Sequence, residues 1–143
     1  MKKVSILLFL SLFLNILYLN GESRVALVIG NNNYTTFSKL SSPINDATDV
    51  AKALEKLDFN VISLFDGNRD QMFKKINSFR DLIKNCDVAL FYYSGHGVQS
   101  TNGDNYLIPL GENFENEDEL EVQAVNMNVI LVVKCYTLLI VVA

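Results

Sequence analysis

The chain has too few histidines and cysteines for a four-ligand zinc site and for a disulfide framework. Its 143 residues include one histidine, His96, and two cysteines, Cys86 and Cys135. Two cysteines cannot form a disulfide scaffold, and with one histidine they do not supply the four ligands of a structural zinc site. We therefore expect no bound metal and no cofactor.

The chain also lacks a basic run and the common nucleotide and serine-hydrolase motifs. It has 12 Lys and Arg against 16 Asp and Glu, which gives a formal net charge of −4. Phosphate contacts need clustered Lys and Arg, so we expect no nucleic-acid partner. Neither G-x-G-x-x-G nor a P-loop is present, although "VIGNNNY" keeps a nucleotide-binding α/β domain as an alternative. Ser94 precedes His96, but no G-x-S-x-G elbow supports a serine hydrolase.

Residues 1–23 follow the pattern of a secretory signal peptide. Two lysines precede the apolar stretch "VSILLFLSLFLNILYL", and small residues at 21 and 23 form a small-x-small cleavage site. The stretch is shorter than the roughly 20 residues that a spanning helix needs. We expect cleavage after Ser23 and export to the periplasm or the exterior. Retention of the segment as an uncleaved membrane anchor is the alternative, and the one route to a membrane.

In residues 24–143, short apolar runs alternate with amphipathic ones. The pattern predicts core strands over 24–30, 60–65, 87–94 and 137–142, and helices that begin at Pro43 and near Arg69. Asn68 and Gln71 predict a capping box at the second helix. A short edge strand is predicted over 106–111 because of Pro109, and a solvated acidic segment over 112–121. Strand–helix alternation predicts an α/β domain with a mostly parallel sheet, whose reactive groups collect at the carboxyl ends of the strands.

His96 lies just past the third predicted strand, in the stretch "FYYSGHGVQS". An imidazole can accept a proton from a thiol and return it to a leaving amine. Glycines at 95 and 97 allow close approach of a substrate, and the Gly97 N–H can donate to a developing oxyanion. Spacing alone leaves open the alternative of an exposed loop histidine without a function.

Three stretches together resemble a known family: "RVALVIGNNNY", "INDATDVAKALEKLDFNV" and "DVALFYYSGHGVQSTNGDNYLIPLG". They are similar to the N-terminal two-thirds of a caspase-like (peptidase C14) domain, of the metacaspase and paracaspase kind, over roughly residues 24–128. The resemblance implies a cysteine endopeptidase that acts on polypeptides, and a three-layer sandwich with a mostly parallel sheet flanked by helices. In that family His96 would be the catalytic histidine.

Asp46, in "INDA", matches the family's acidic residue in the pocket for the substrate side chain before the scissile bond. The resemblance implies that this pocket takes arginine or lysine. Without the family, Asp46 would be read as a carboxylate in the first turn of a helix, where it favours the macrodipole by roughly 0.3–1 kcal/mol. The helix begins at the carboxyl edge of the sheet, so we expect Asp46 and His96 on one rim.

The nucleophile is missing from the pattern. The family carries its cysteine in a D-x-C motif at the end of the fourth strand, about 50 residues after the histidine, and no D-x-C occurs here. Cys86 opens the third predicted strand. Cys135 precedes the fourth predicted strand, so it is expected at the edge of the sheet opposite His96. A strand of about six residues separates the two edges by ~20 Å, which is too far for a proton transfer to His96. Both read as small core residues, and a disulfide between them is conceivable in an exported protein.

Counting about 50 residues from His96 passes Ala143, so the domain is expected to be truncated near its fourth strand. The chain is then either a truncated or frame-shifted copy of a peptidase, or a short inactive one. Two functions follow: a caspase-like cysteine endopeptidase, or an inactive caspase-like fold that binds peptides or proteins. A cysteine at the carboxyl end of the fourth strand distinguishes them.

Overall fold

The structure, a computed structural model, describes residues 22–130 and the backbone of 136–142. The strands are β1 (Arg24–Gly30), β2 (Phe59–Phe65), β3 (Val88–Ser94), β4 (Gly97–Gln99), β5 (Asn105–Leu107), β6 (Val125–Asn126) and β7 (Tyr136–Val142). The helices are α1 (Pro43–Glu55), α2 (Arg69–Leu82) and α3 (Leu120–Gln123). One-turn 3₁₀ helices cover Ile83–Asn85, Glu117–Glu119 and Met127–Val129.

Four strands form a parallel sheet in the order β2-β1-β3-β7. In the register of this sheet, Gly30 lies beside Phe65 and Ser94, and Ser94 lies beside Val142. All four strands therefore end at one level, which is called the carboxyl edge below. The predicted mostly parallel sheet and its four core strands are confirmed.

The two long helices cover opposite faces of this sheet because side chains alternate along each strand. Val25, Leu27 and Ile29 of β1 pack in a cluster with the buried side chains of α2. Ala26 and Val28 pack in a second cluster with those of α1. The result is the three-layer sandwich that the sequence predicts. Burial of each large apolar side chain contributes about 1.5–3 kcal/mol before the entropic cost of ordering the chain.

Both helices begin as the sequence predicts. Pro43 occupies the first position of α1, where a missing N–H costs nothing. At α2, Asn68 Oδ1 accepts from the Gln71 N–H at 2.9 Å, and Gln71 Oε1 accepts from the Asn68 N–H at 3.0 Å. This reciprocal capping box is worth about 0.5–2 kcal/mol.

The segment after β3 forms a second, antiparallel sheet that corrects two predictions. Its order is β4-β5-β6, so the strand predicted over 106–111 is in fact Asn105–Leu107 and lies in the middle of this sheet. Pro109 follows the strand and does not interrupt its hydrogen bonding. The acidic segment predicted to be solvated contains α3, which buries Leu120 and whose Glu121 accepts a hydrogen bond from the Tyr106 hydroxyl.

Two predictions fall on residues outside this description. Residues 1–21, which contain nearly all of the expected signal peptide, and Cys135 lie outside the described part of the chain. Among the described helices, none combines the length and the apolar character that crossing a membrane requires.

Candidate active site at the carboxyl edge

His96 lies two residues beyond the end of β3, and its ring packs against two aromatic side chains. The ring centroid is 4.6 Å from that of Tyr34 and 5.9 Å from that of Phe37. Nε2 lies 2.7 Å from the carbonyl oxygen of Ser38. A carbonyl oxygen can only accept a hydrogen bond, so Nε2 carries the proton and the neutral ring keeps its lone pair on Nδ1. Nδ1 is therefore the atom that can take a proton from a reacting group.

The backbone of His96 is held on both sides by tyrosine hydroxyls. Its N–H donates to the Tyr34 hydroxyl at 3.0 Å, and its carbonyl accepts from the Tyr93 hydroxyl at 2.8 Å. The two hydroxyl oxygens are 3.2 Å apart and lie 3.1 and 3.0 Å from the carbonyl oxygen of Ile108. With Tyr34 donating to Ile108 and Tyr93 to His96, each hydroxyl proton has an acceptor. These hydrogen bonds thus fix the backbone of the turn that carries the imidazole.

This tyrosine pair explains the glycine before His96. A Cβ atom on Gly95 would lie 2.6 Å from the Tyr93 hydroxyl oxygen and 2.7 Å from that of Tyr34. Real Cβ contacts are not this short, so any larger residue would displace the hydroxyls that hold His96. Gly95 does not have a positive φ, so lack of space, and not backbone conformation, requires glycine at this position.

Both hydroxyls remain protonated near neutral pH. Burial raises the pKa of Tyr93 well above its ordinary value, and the neighbouring Tyr34 raises it further. Burial also raises the pKa of Tyr34, against the lowering effect of its hydrogen bonds to Tyr93 and His96. The tyrosine pair therefore acts as a fixed set of donors, and the proton transfer at this site is left to the imidazole.

The loop that delivers Tyr34 is itself anchored at the ends of β1 and β2. Asn31 is fully buried, accepts from the Gly67 N–H at 3.0 Å, and donates to the Ile108 carbonyl at 3.3 Å. Asp66 accepts from the backbone N–H groups of Asn32 and Asn33 at 2.8 and 3.1 Å. Burial alone would raise the pKa of Asp66, but these donors and the Asn33 side chain together lower it. Asn31 and Asp66 lie in polar stretches without an apolar pattern, so the sequence alone gives no signal of these anchors.

Gly97, the first residue of β4, directs its N–H away from the neighbouring strand β5. The Ile108 N–H donates to the His96 carbonyl at 3.0 Å, and the Ser100 N–H donates to the Asp104 carbonyl at 2.8 Å. In an antiparallel ladder, bonded and non-bonded pairs alternate, so Gly97 and Leu107 form a non-bonded pair. Gly97 is exposed, and among residues 22–130 no group accepts a hydrogen bond from its N–H, so this N–H can meet a carbonyl oxygen beside His96.

Asp46 lies in the first turn of α1, exposed at the same carboxyl edge. The helix starts close against the end of β1, since a Cβ on Gly30 would lie 2.7 Å from the Pro43 carbonyl oxygen. Burial raises the pKa of Tyr92 in β3, and the nearby charge of Asp46 adds to this effect. Asp46 is thus close to the end of β3, with its carboxylate open to a cationic group from solvent.

The two cysteines do not complete this site within the described structure. Cys86 precedes β3 at the amino edge, so a seven-residue strand places it ~20 Å from His96. Cys135 lies outside the described residues, and the expectation that it is not the nucleophile stays a prediction. Tyr136, which follows it, pairs with Val88 at the amino edge. Over the described residues, no group of three His, Cys, Asp or Glu side chains is arranged to hold a metal ion.

Comparison with known proteins agrees with this geometry. A family model described as the caspase domain (peptidase C14) matches residues 23–139. The human mucosa-associated lymphoid tissue lymphoma translocation protein 1 is 34% identical over 90 residues, and its mouse homolog is 33% identical over 90 residues. A paracaspase of Dictyostelium discoideum is 30% identical over 95 residues.

These matches cover most of this chain but a small part of each relative. They span 63% of this chain for the two mammalian proteins and 62% for the Dictyostelium paracaspase. The matched region is 11% of each mammalian protein and 23% of the paracaspase. The similarity therefore concerns one domain and not the relatives' whole architecture.

Proposed function

The chain belongs to the caspase-domain family, and from that premise we propose that it supplies the histidine, the oxyanion donor and the basic-residue pocket of a cysteine endopeptidase. The observation that carries the proposal is the set of hydrogen bonds made by the ring and the backbone of His96. Its Nε2 is engaged by the Ser38 carbonyl, which leaves Nδ1 as the base, and its backbone is held by the tyrosine pair. A peptidase of this family acts on polypeptides.

The proposed chemistry follows from these positions. A cysteine thiol at the carboxyl edge gives its proton to His96 Nδ1, and the thiolate sulfur attacks the carbonyl carbon of the scissile amide. The oxygen of that carbonyl gains negative charge and accepts from the Gly97 N–H. The imidazolium then returns the proton to the amine nitrogen as the C–N bond breaks, and water later hydrolyses the acyl–sulfur bond.

The family pattern puts the cysteine at the carboxyl end of the fourth strand, and the register supports that position. Val142, the last residue of β7, lies beside Ser94 on β3, two residues before His96. Neighbouring strands are about 4.8 Å apart, so a side chain just past this level would come within reach of the imidazole.

Asp46 is proposed to select the residue before the scissile bond. Its exposed carboxylate at the carboxyl edge would pair with an arginine or lysine side chain of the substrate. If the bound substrate buries this pair, replacing one partner costs about 2–5 kcal/mol, which corresponds to a loss of roughly 30-fold or more.

An inactive caspase-like fold that binds peptides is the second candidate. It is favoured by one observation: among the described residues, no cysteine lies at the carboxyl edge beside His96. In that case Asp46 and the Gly97 N–H would bind a basic peptide that is never cleaved.

One experiment separates the two candidates. The full chain is incubated with fluorogenic peptides that carry Arg, Lys or Asp before the reporter, and with a peptidyl-arginine acyloxymethyl ketone that alkylates a reactive cysteine. An endopeptidase cleaves the Arg and Lys peptides and gains the mass of the inhibitor, and His96→Ala removes the cleavage. Asp46→Asn lowers it at least 30-fold for the basic peptides.

The matched control is Asp49→Asn, an exposed carboxylate one turn further along α1, which should leave cleavage unchanged. Asp46-dependent binding of the Arg peptide without cleavage or alkylation would instead establish the binding fold. If the Arg peptide neither binds nor is cleaved, both candidates are wrong.

Export is a separate proposal that rests on residues 1–23 alone. If the signal is cut after Ser23, the secreted product should begin at Arg24. N-terminal sequencing of the protein recovered from outside the cytoplasm would check this, and a product that retains its apolar segment in the membrane fraction would support the anchor instead.

A further inference from the structure

The strand β4 is an edge strand that runs on directly from His96. One side of it pairs with β5. Because Gly97 and Gln99 belong to the non-bonded pairs of that ladder, both direct their N–H and C=O groups to the other side. Over residues 22–130, no backbone group is hydrogen-bonded to these outward N–H groups. The edge therefore offers a ready template for an extended chain.

Two pockets flank this edge, one on each face of the second sheet. On the Val98 face, a pocket of about 260 Å³ is lined by Phe114 and Leu120. On the face of Gly97 and Gln99, a pocket of about 220 Å³ is lined by Leu107 and Met127. Successive side chains of an added strand point to opposite faces, so the two pockets would receive them alternately.

We propose that this edge binds the three residues that follow the scissile bond, as an added parallel strand; the inference rests on the proposed function. The Gly97 N–H meets the scissile carbonyl, which fixes one point of the pairing. From that point, a parallel strand extends along β4 with the residues after the scissile bond, and an antiparallel strand extends with the residues before it.

The side-chain faces decide between these directions. In the parallel arrangement, the residue before the scissile bond shares the face of Val98, whose cluster includes Tyr34, Phe37 and Leu40. These residues belong to the segment that leads into α1 and Asp46. In the antiparallel arrangement, the same side chain shares the face of Gly97 and Leu107, whose cluster is that of α2, away from Asp46. The parallel arrangement alone is compatible with a basic residue bound by Asp46.

Parallel pairing predicts which backbone groups of the substrate form hydrogen bonds with β4. The second residue after the scissile bond donates its N–H to the Gly97 carbonyl and accepts from the Gln99 N–H. The first and third residues direct their N–H groups away from β4. The second side chain enters the pocket of Val98, Phe114 and Leu120, whose lining also includes the carboxylates of Glu115 and Glu117. We therefore infer a preference for an apolar residue over an acidic one at that position.

The test measures the binding of matched peptides to the full chain by fluorescence anisotropy. The short peptide ends in an arginine amide. The long peptide continues for three residues, Ala-Leu-Ala, and carries a ketomethylene group in place of the scissile amide, which keeps the carbonyl and prevents cleavage. Two further versions are N-methylated, one at the second and one at the third residue after the scissile group.

Two backbone hydrogen bonds and a filled apolar pocket should make the long peptide bind about 10-fold or more tightly than the short one. Methylation at the second residue should remove this gain, and methylation at the third residue should keep it. Replacing the second residue, Leu, by Glu should also remove the gain. If the short and long peptides bind equally, or if both methylations act alike, the inference is wrong while the proposed function stands. If no arginine peptide binds, the proposed function fails and the inference fails with it.

Amide NMR supplies a readout on the protein itself. Binding of the long peptide, and not of the short one, should slow hydrogen exchange at the Gln99 amide. The Val98 amide, which faces Tyr106 in a bonded pair of the β4–β5 ladder, should change little. Slow exchange of the Gln99 amide in the free chain would show that another segment or a second copy already covers the edge, and would overturn the inference.

Discussion

Replacement of Gly95 by alanine tests whether the tyrosine pair is what holds the His96 turn. The new Cβ would lie 2.6 Å from the Tyr93 hydroxyl oxygen and 2.7 Å from that of Tyr34, so at least one hydroxyl must retreat by about half an ångström. Overpacking in a filled site costs about 1–3 kcal/mol, and each hydrogen bond that is broken adds about 1 kcal/mol. We expect Gly95→Ala to lower the free energy of unfolding by about 2–4 kcal/mol, measured by urea denaturation.

The same substitution in a Tyr34→Phe, Tyr93→Phe background isolates the cause. The double Phe variant removes the two nearest oxygens, but the ring carbon Cζ at position 93 still lies 2.8 Å from the added Cβ. Gly95→Ala should therefore cost about 1–2 kcal/mol less in this background, and not nothing. Gly103→Ala is the control, because Gly103 has φ +89° but no atom within 4 Å of its Cβ position. Its cost, about 1–2 kcal/mol of backbone strain, should be equal in both backgrounds. If the Gly95→Ala cost is also equal in both backgrounds, the hydroxyls are not what excludes a side chain at this position.

Three further predictions concern the same scaffold. The fold raises the pKa values of Tyr34 and Tyr93 and so favours their protonated hydroxyls. The free energy of unfolding should therefore fall as pH rises above the ordinary tyrosine value of 10.0. In the double Phe variant, the free energy of unfolding should fall less between about pH 9 and 11. The pKa of Asp66 is lowered in the fold, so the stability that Asp66 contributes should be lost as pH falls below its ordinary value of 3.8. Asp66→Ala should lower the free energy of unfolding at pH 7 by about 1–3 kcal/mol, and the stability of this variant should depend less on pH in acid. Asn31→Ala leaves the Gly67 N–H without its buried acceptor and should cost about 1–3 kcal/mol in thermal or urea unfolding, and an unchanged midpoint would show that the anchor is dispensable.

The core of the fold could be predicted because its signals are local. The four strands of the parallel sheet are near-continuous apolar runs, and the two long helices carry apolar stripes with a proline or a capping box at the start. These patterns depend on a few neighbouring residues, which a reader of the sequence can see. The positions of His96 and Asp46 at one edge then follow from the parallel topology.

The second sheet and the support of the site could not be predicted in the same way. Strands of two or three residues, such as β4 and β6, are too short to show a period, and Pro109 predicts an edge position for a strand that is central. Asn31 and Tyr34 occur in a polar stretch that looks solvated, yet their relative exposures are 0% and 1%. Their partners, such as Ile108, are distant in sequence, so only tertiary structure reveals why these polar groups are buried.

The hydrogen bonds that fix His96 have a consequence for how the chain folds. Those that tie Tyr34 to Tyr93 and to Ile108 close sequence separations of 59 and 74 residues. Contacts this distant form only after the intervening strands have paired, so the His96 turn should be among the last features to become ordered during folding. A peptide that binds there recognises only the complete fold. Its binding would therefore raise the unfolding midpoint in proportion to the logarithm of its concentration, and a partly folded chain would not respond to it.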